Sequence, residues 1–170
     1  MTDTFSPAQE QILSEIGSFA QEHSGANFVS DAACLLAEKL GVSYVLIGKL
    51  VPPENNTVRT VALYASGRLV ENMEYSLFGT PCENVVGRNM CYYPFGVQAL
   101  FPTDKELKDL AVESYMGVPL FGAEREPMGL IVLMHTDTIS EAAFVESALK
   151  LLAPRLEQEL LTAAETTVPG

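Results

Sequence analysis

The sequence is poor in basic residues. Only 10 Lys and Arg stand against 22 Asp and Glu, which gives a formal net charge of −12. The basic residues are scattered singly rather than clustered. Because a chain this acidic repels phosphate backbones and anionic lipid headgroups, we expect no nucleic-acid partner and no membrane partner.

Long apolar runs are also absent, since no stretch approaches the about 18 consecutive apolar residues of a transmembrane helix. The opening residues, MTDTFSPAQE, lack the basic and apolar segments of a secretion signal. We therefore expect a cytoplasmic location. A chain of 170 residues that is 48% hydrophobic is sufficient for one buried core, so we expect one folded domain.

Cysteine and histidine are scarce. The chain has three cysteines, Cys34, Cys82 and Cys91, and two histidines. An odd number of cysteines without a secretion signal argues against a disulfide framework. The absence of a Cys-x-x-Cys spacing argues against zinc, so we expect no metal site.

Apolar residues recur at helical spacing near both ends of the chain. The pattern predicts helices over 7–22, ending at 23–25, and over 27–40, with Asn27 as N-cap and Gly41 as the stop. A last helix is predicted over 140–164, capped by Ser140 and interrupted by Pro154. The apolar stripes either cover a sheet or meet the same helices of a second chain. Their members are Ile12, Ile16, Phe19, Leu149, Leu152, Leu156 and Leu160.

Short segments rich in β-branched residues predict strands over 43–51, 57–65, 74–77, 113–121 and 128–135. The first two are predicted to form a hairpin, and a short helix is predicted over 104–111. The last strand, MGLIVLMH, is apolar at both its odd and its even positions, which indicates a central strand covered on both faces. This order of elements predicts an α+β fold, an antiparallel sheet between helices.

The segment 78–101 has no regular periodicity, and we expect it to be irregular. It combines several glycines and prolines with Cys82, Cys91 and a group of aromatic residues. Loops of this length within compact domains are often binding elements or lids, so we expect this segment to cover a binding site.

Six segments carry a resemblance to the GAF domain family. They are YSL at 75–77, GTPCENV at 79–85, CYYP at 91–94, LFPTD at 100–104, ESYMGVPL at 113–120 and MGLIVL at 128–133. In this order and spacing they resemble the GAF domains of bacterial sensor histidine kinases and diguanylate cyclases. Two positions depart from the pattern: relatives often have His where this chain has Tyr92, and Pro154 lies within the last helix.

The resemblance implies a GAF-like central antiparallel sheet of five to six strands with helices on both faces. It also implies a pocket on one face, roofed by the segment 78–101, that binds a small molecule for regulation rather than catalysis. The ligand or cofactor is not identified by the sequence. The ligand-binding residues expected from the resemblance are Tyr75, Cys82, Cys91, Tyr93, Phe101 and Tyr115.

The resemblance further divides the chain by role. Residues 1–26 are expected to form a dimerisation or signalling helix, 27–164 the sensory domain, and 165–170 a linker. A homodimer is expected to transmit ligand binding through its terminal helices, as in two-component signalling, to a downstream kinase or cyclase domain.

Two alternatives stay open. One GAF enzyme class, free methionine-(R)-sulfoxide reductase, uses cysteines in this region, although no cysteine follows Cys91 here and the nearest basic residue is Arg88. The other alternative is a GAF scaffold without a ligand. Attachment of a bilin would need a histidine beside the cysteine, where this chain has Tyr92.

Overall fold

The computed structural model describes residues 5–23, 27–87 and 90–166; Ser24, Gly25, Arg88 and residues 167–170 of the predicted linker lie outside these ranges. The helices are α1 (Pro7–Glu22), α2 (Phe28–Leu40), α3 (Pro81–Gly87), α4 (Val97–Leu100), α5 (Lys105–Asp109) and α6 (Ala142–Thr166). The strands are β1 (Tyr44–Leu50), β2 (Thr57–Ala65), β3 (Arg68–Leu69), β4 (Glu74–Ser76), β5 (Cys91–Tyr93), β6 (Ser114–Phe121) and β7 (Pro127–His135).

The strands form one antiparallel sheet in the order β3-β2-β1-β7-β6-β5, and β4 also pairs with β2. The predicted α+β fold class is confirmed. The sheet has seven strands rather than five to six because the very short β3 and β4 both pair with β2. Strand β7 lies between β1 and β6 and is buried along most of its length, as its two-sided apolar pattern predicts.

Helices α1, α2 and α6 pack on one face of the sheet. Ile16 of α1 and Leu149, Leu152 and Leu156 of α6 are fully buried there, in one core with β1, β6 and β7. Five members of the predicted apolar stripes, Ile16, Leu149, Leu152, Leu156 and Leu160, are therefore buried within the chain, whereas Ile12 and Phe19 are only partly buried.

The opposite face carries a second core, which α3, α4 and α5 help to form through Cys82, Val85, Val97 and Leu107. The prediction that the segment 78–101 is irregular is wrong, because it contains α3, β5 and α4. None of these elements has more than seven residues. Such short elements depend on tertiary partners, for example β5 on its pairing with β6.

The predicted helix ends are only partly correct. Gly41 ends α2 in the left-handed conformation, with φ of 67°. Asn27 occupies the N-cap of α2, but its side chain makes no capping hydrogen bond. Ser140 does not cap α6, which begins at Ala142 after Glu141 at φ of 58°; the Glu141 carbonyl accepts a hydrogen bond from the Val145 N–H.

Candidate ligand-binding site

A partly open cavity of about 240 Å³ lies between the second face of the sheet and the segments above it. We call residues 77–87 and 102–110, which carry α3 and α5, the roof. The expectation that the segment 78–101 covers the pocket is only partly correct: of its described residues, only Phe78, Thr80, Pro81 and Cys82 line the cavity, and β5 belongs to the sheet because it pairs with β6. The wall is mostly apolar. The side chains lining it include Leu46, Leu63, Met73, Tyr75, Phe78, Thr80, Pro81, Cys82, Thr103, Asp104, Leu107, Leu110, Tyr115 and Met134.

The floor of the cavity follows from the register of the strands. Met134 of β7 is the partner of Tyr115 on β6, and Leu46 of β1 is the partner of Leu63 on β2. Because partners in an antiparallel pair project from the same face, these four side chains all lie beneath the roof. The alternation of β1, β2, β6 and β7 thus produces an apolar floor.

A missing side chain at Gly117 creates the space for Tyr115. A Cβ atom at Gly117 would lie 2.7 Å from Cγ2 of Val85 and 3.1 Å from the hydroxyl oxygen of Tyr115. The Tyr115 ring therefore lies across Gly117 and extends toward α3. This placement brings its hydroxyl group to the thiol of Cys82.

Two tyrosine hydroxyls meet at the Cys82 thiol. The Tyr115 hydroxyl donates to Sγ at 3.0 Å, and the Tyr75 hydroxyl lies 3.2 Å from the same sulfur. Burial raises the pKa of Cys82, and the tyrosine hydrogen bonds only partly offset this effect. Burial also raises the pKa of Tyr75 and of Tyr115 well above their ordinary value. The cluster is therefore neutral at physiological pH, and its thiol is a poor nucleophile.

Two contacts hold the roof in place. The Tyr44 hydroxyl on β1 donates to the carbonyl oxygen of Leu110 at 2.8 Å, which fastens the end of α5 to the sheet. Gly79 adopts φ of +73°, and a Cβ atom there would lie 2.5 Å from Oγ1 of Thr103. The two parts of the roof thus meet closely at a position that only glycine fits.

Asp104 places a carboxylate in the cavity wall. Its Oδ1 accepts a hydrogen bond from the backbone N–H of Glu106 at 3.1 Å and caps α5. Burial raises the pKa of Asp104, against the effect of backbone donors at Leu107 and Glu106, and the neighbouring Glu106 charge raises it further. Among the described residues, no Lys, Arg or His forms an ion pair with it.

Three of the six expected ligand-binding residues, Tyr75, Cys82 and Tyr115, line this cavity, and the other three do not. Tyr93 packs beside it, with its ring centroid 5.9 Å from that of Tyr115 and 5.4 Å from that of Phe101. Cys91 is buried on β5 in the same core.

Asp104 and the apolar floor are not among the binding residues expected from the sequence. Asp104 was interpreted only as part of a helix, although its place in the LFPTD segment could have drawn attention to it. The floor residues Leu46, Leu63 and Met134 lie on the same face of the sheet as Tyr115, but recognising this needs the register between the strands.

The Cys82 thiol makes a pH-dependent contribution to stability. Because its pKa is higher in the folded chain, the contribution is complete below about pH 8.5, the ordinary pKa of cysteine, and is lost as pH rises toward the folded-state pKa. We expect the free energy of unfolding to fall over this range by at most about 1.4 kcal/mol per pH unit for this group.

Urea denaturation from neutral to alkaline pH measures this effect. Cys82→Ser keeps a hydrogen-bond partner for both tyrosines but does not titrate in the range, so its pH dependence should be shallower. If the free energy of unfolding falls equally with pH in the wild type and the variant, the burial of an un-ionised thiol is contradicted.

No protein-family model and no curated protein matches this sequence. Solved structures do match. The phycocyanobilin-bound GAF domain from a cyanobacterial phytochrome is 18% identical, with a TM-score of 0.65; the match covers 96% of this chain and 100% of that domain. The GAF domain of an Acinetobacter phosphoenolpyruvate-protein phosphotransferase is 18% identical, with a TM-score of 0.66 over 95% of this chain and 98% of that one. The chain has the GAF fold.

An enzyme shares this GAF fold. The free methionine-R-sulfoxide reductase from Neisseria meningitidis, solved in complex with its substrate, is 13% identical, with a TM-score of 0.69 over 98% of each chain. The GAF fold therefore occurs both in signalling proteins and in a reductase, and function has to be argued from the cavity.

The described cavity wall of this GAF fold contains no histidine. Neither His23 nor His135 lines the cavity: His23 pairs with Asp31, and His135 accepts a hydrogen bond from Ser43. Within the described ranges, no group of three His, Cys, Asp or Glu side chains is placed to hold a metal ion. In the same ranges, no helix combines the length and apolar character needed to cross a membrane.

Proposed function

We propose that this chain is a regulatory GAF domain of a bacterial signal-transduction protein, and that it binds a small molecule in the cavity beneath the roof. The observation that carries the proposal is the cavity itself: about 240 Å³ of space with an apolar floor and a few polar groups at its edge. Small-molecule sites have this composition. Tyr75, Cys82 and Tyr115 contact the ligand, whereas Cys91, Tyr93 and Phe101 support the wall behind them.

The Cys82 environment favours binding over redox catalysis. A reductase needs a thiolate nucleophile, and here burial raises the thiol pKa. The described groups that contact the thiol are the hydroxyls of Tyr75, Tyr115 and Thr80 rather than a cation. Because the fold resembles that of a reductase, a redox enzyme is the second candidate function. An activity assay on free methionine sulfoxide tests it. Turnover by the wild type that is abolished in Cys82→Ser would favour the enzyme.

The proposal includes a homodimer in the cytoplasm, with output through α1 and α6 to a kinase or cyclase domain. A groove between these helices is lined by Phe5, Leu13 and Leu151, and Leu151 remains 41% exposed although it is a large hydrophobic side chain. Glu10 and Lys150, which carry opposite charges, lie in the same groove. A second copy, related by a two-fold axis, would pair these charges and cover the apolar residues.

The ligand is tested by comparing what co-purifies with two variants. Leu63→Trp places a larger side chain in the cavity floor, whereas Leu69→Trp changes an exposed residue on the short edge strand β3. After denaturation of the purified proteins, mass spectrometry is expected to detect a small molecule with the wild type and Leu69→Trp, but not with Leu63→Trp. The same released molecules from all three proteins, or none from any, would argue for a GAF scaffold without a ligand.

A further inference from the structure

The charges in the cavity wall point to one class of ligand. Among the described residues, three charged side chains line the cavity: Asp104, Lys105 and Glu106. Lys105 is directed to solvent, since its side chain is 83% exposed and lies 4.0 Å from Asp109. Glu106 is also exposed, so the half-buried carboxylate of Asp104 is the charge most enclosed by the described wall.

We propose that the cavity binds a small amphiphilic cation, with an apolar body on the floor and a protonated amine against Asp104. This inference rests on the proposed function and assigns its ligand class. The site is the whole cavity: Leu46, Leu63 and Met134 contact the apolar body, and Asp104 binds the charged end.

The volume limits the body to one or two rings, or an aliphatic group of similar size. An apolar cavity of about 150 Å³ holds one benzene molecule, and sites for drug-sized ligands begin at about 300 Å³. This cavity, at about 240 Å³, lies between them. A linear tetrapyrrole such as the chromophore of the phytochrome domain is much larger than this cavity.

The sign of the ligand charge follows from the carboxylates. An anion would approach Asp104 and Glu106 within a chain whose net charge is −12, and the cation in the described wall, Lys105, is directed to solvent. A protonated amine instead supplies the cation that Asp104 lacks among the described residues. A charged pair that is partly shielded from water is also stronger than one on the surface.

Helix capping explains an oxygen atom at position 104 but not a charge. Asparagine caps a helix about as well as aspartate does. The raised pKa of Asp104 means that folding favours its neutral form. The neutral carboxyl group therefore contributes to the free energy of unfolding at low pH, and this contribution is lost as the group ionises. At neutral pH the charge therefore costs stability, and a costly charge beside an apolar cavity is typical of a binding site.

Calorimetric titration with three compounds of one skeleton tests the ligand class: 2-phenylethylamine, 2-phenylethanol and 3-phenylpropionate. For the wild type, we expect the amine to bind at least about tenfold more tightly than the alcohol, and the propionate to bind most weakly. Asp104→Asn should bind the amine and the alcohol within about threefold of each other while keeping the cap. Asp109→Asn removes a charge from the same short helix outside the cavity wall and should keep the preference for the amine.

Stability provides a second readout. Without added ligand, Asp104→Asn is expected to melt about 1–3 °C above the wild type at neutral pH, since it removes a charge that folding disfavours. A lower melting temperature would mean that the charge stabilises the fold and would overturn the functional argument for Asp104.

The outcomes separate this inference from the proposed function. If the alcohol or the propionate binds the wild type as tightly as the amine, or if the amine does not bind at millimolar concentration, the ligand class is wrong. If the alcohol or the propionate binds the wild type but not Leu63→Trp, the cavity is still supported as the binding site. If the amine binds Leu63→Trp as tightly as the wild type, it binds elsewhere, and both the ligand class and the site lose their support.

Discussion

Replacing Gly129 with alanine is expected to lower the free energy of unfolding by about 3 kcal/mol or more. A Cβ atom at Gly129 would lie 2.3 Å from the carbonyl oxygen of Gly48 and 3.4 Å from the Cα atom of Lys49. Both are backbone atoms, so no side-chain rotation relieves the clash. The strands that carry them, β1 and β7, are central in the sheet and would have to separate.

Gly17→Ala is the matched control for this substitution. A Cβ atom at Gly17 has no neighbouring atom within 4 Å, and Gly17 lies within α1. Alanine there should raise the free energy of unfolding by about 0.5–1 kcal/mol, because it favours the helix. Urea denaturation measures both changes, and similar small changes at the two glycines would mean that β1 and β7 are not packed this closely.

Arg155→Ala is expected to lower the free energy of unfolding by about 2–4 kcal/mol and to release α1 from the domain. The guanidinium group of Arg155 donates to the carbonyl oxygens of Ala20 at 2.8 Å and of His23 at 2.7 Å, at the end of α1. It also lies 4.2 Å from the ring centroid of Phe28 on α2. One side chain of α6 thus joins all three helices that cover the first face of the sheet.

Amide hydrogen exchange distinguishes this role from a general loss of stability. In Arg155→Ala, the amides of α1 should lose protection before those of β7 do. Arg155→Lys should behave similarly, since an ammonium group cannot reproduce the two-carbonyl, ring-stacked geometry of a guanidinium group. Arg59→Ala, which removes an exposed ion pair with Glu74 between β2 and β4, should change the free energy of unfolding by less than about 1 kcal/mol. Unchanged protection of α1 in Arg155→Ala would contradict the attachment.

The long periodic elements of the fold could be predicted from the sequence. The helix at 7–22 and the strand at 57–65 have the predicted limits, because their side-chain periodicity and their bounding residues agree. The segment 78–101 could not be predicted in this way. Strand β5 has three residues and exists because it pairs with β6, a contact that no local pattern encodes.

The site could be predicted only in part, for a similar reason. Tyr75, Cys82 and Tyr115 line the cavity and were identified from the resemblance. Leu46 and Met134 were recognised only as strand residues, because their position beneath the roof depends on the register of four strands. Asp104 is explained locally as the start of the helix predicted over 104–111, and apart from its place in the LFPTD segment nothing in the sequence indicates that this carboxylate lines a cavity.

The central claim is that the roof encloses a cavity above the second face of the sheet. Methionine methyl groups report on it directly, since Met73 and Met134 line the cavity, whereas Met116 and Met128 pack against the opposite core. Apolar cavities bind xenon, so xenon pressure should shift the ¹³C-methyl signals of Met73 and Met134 and leave those of Met116 and Met128 in place. Unmoved signals from Met73 and Met134, or shifts confined to Met116 and Met128, would contradict the account.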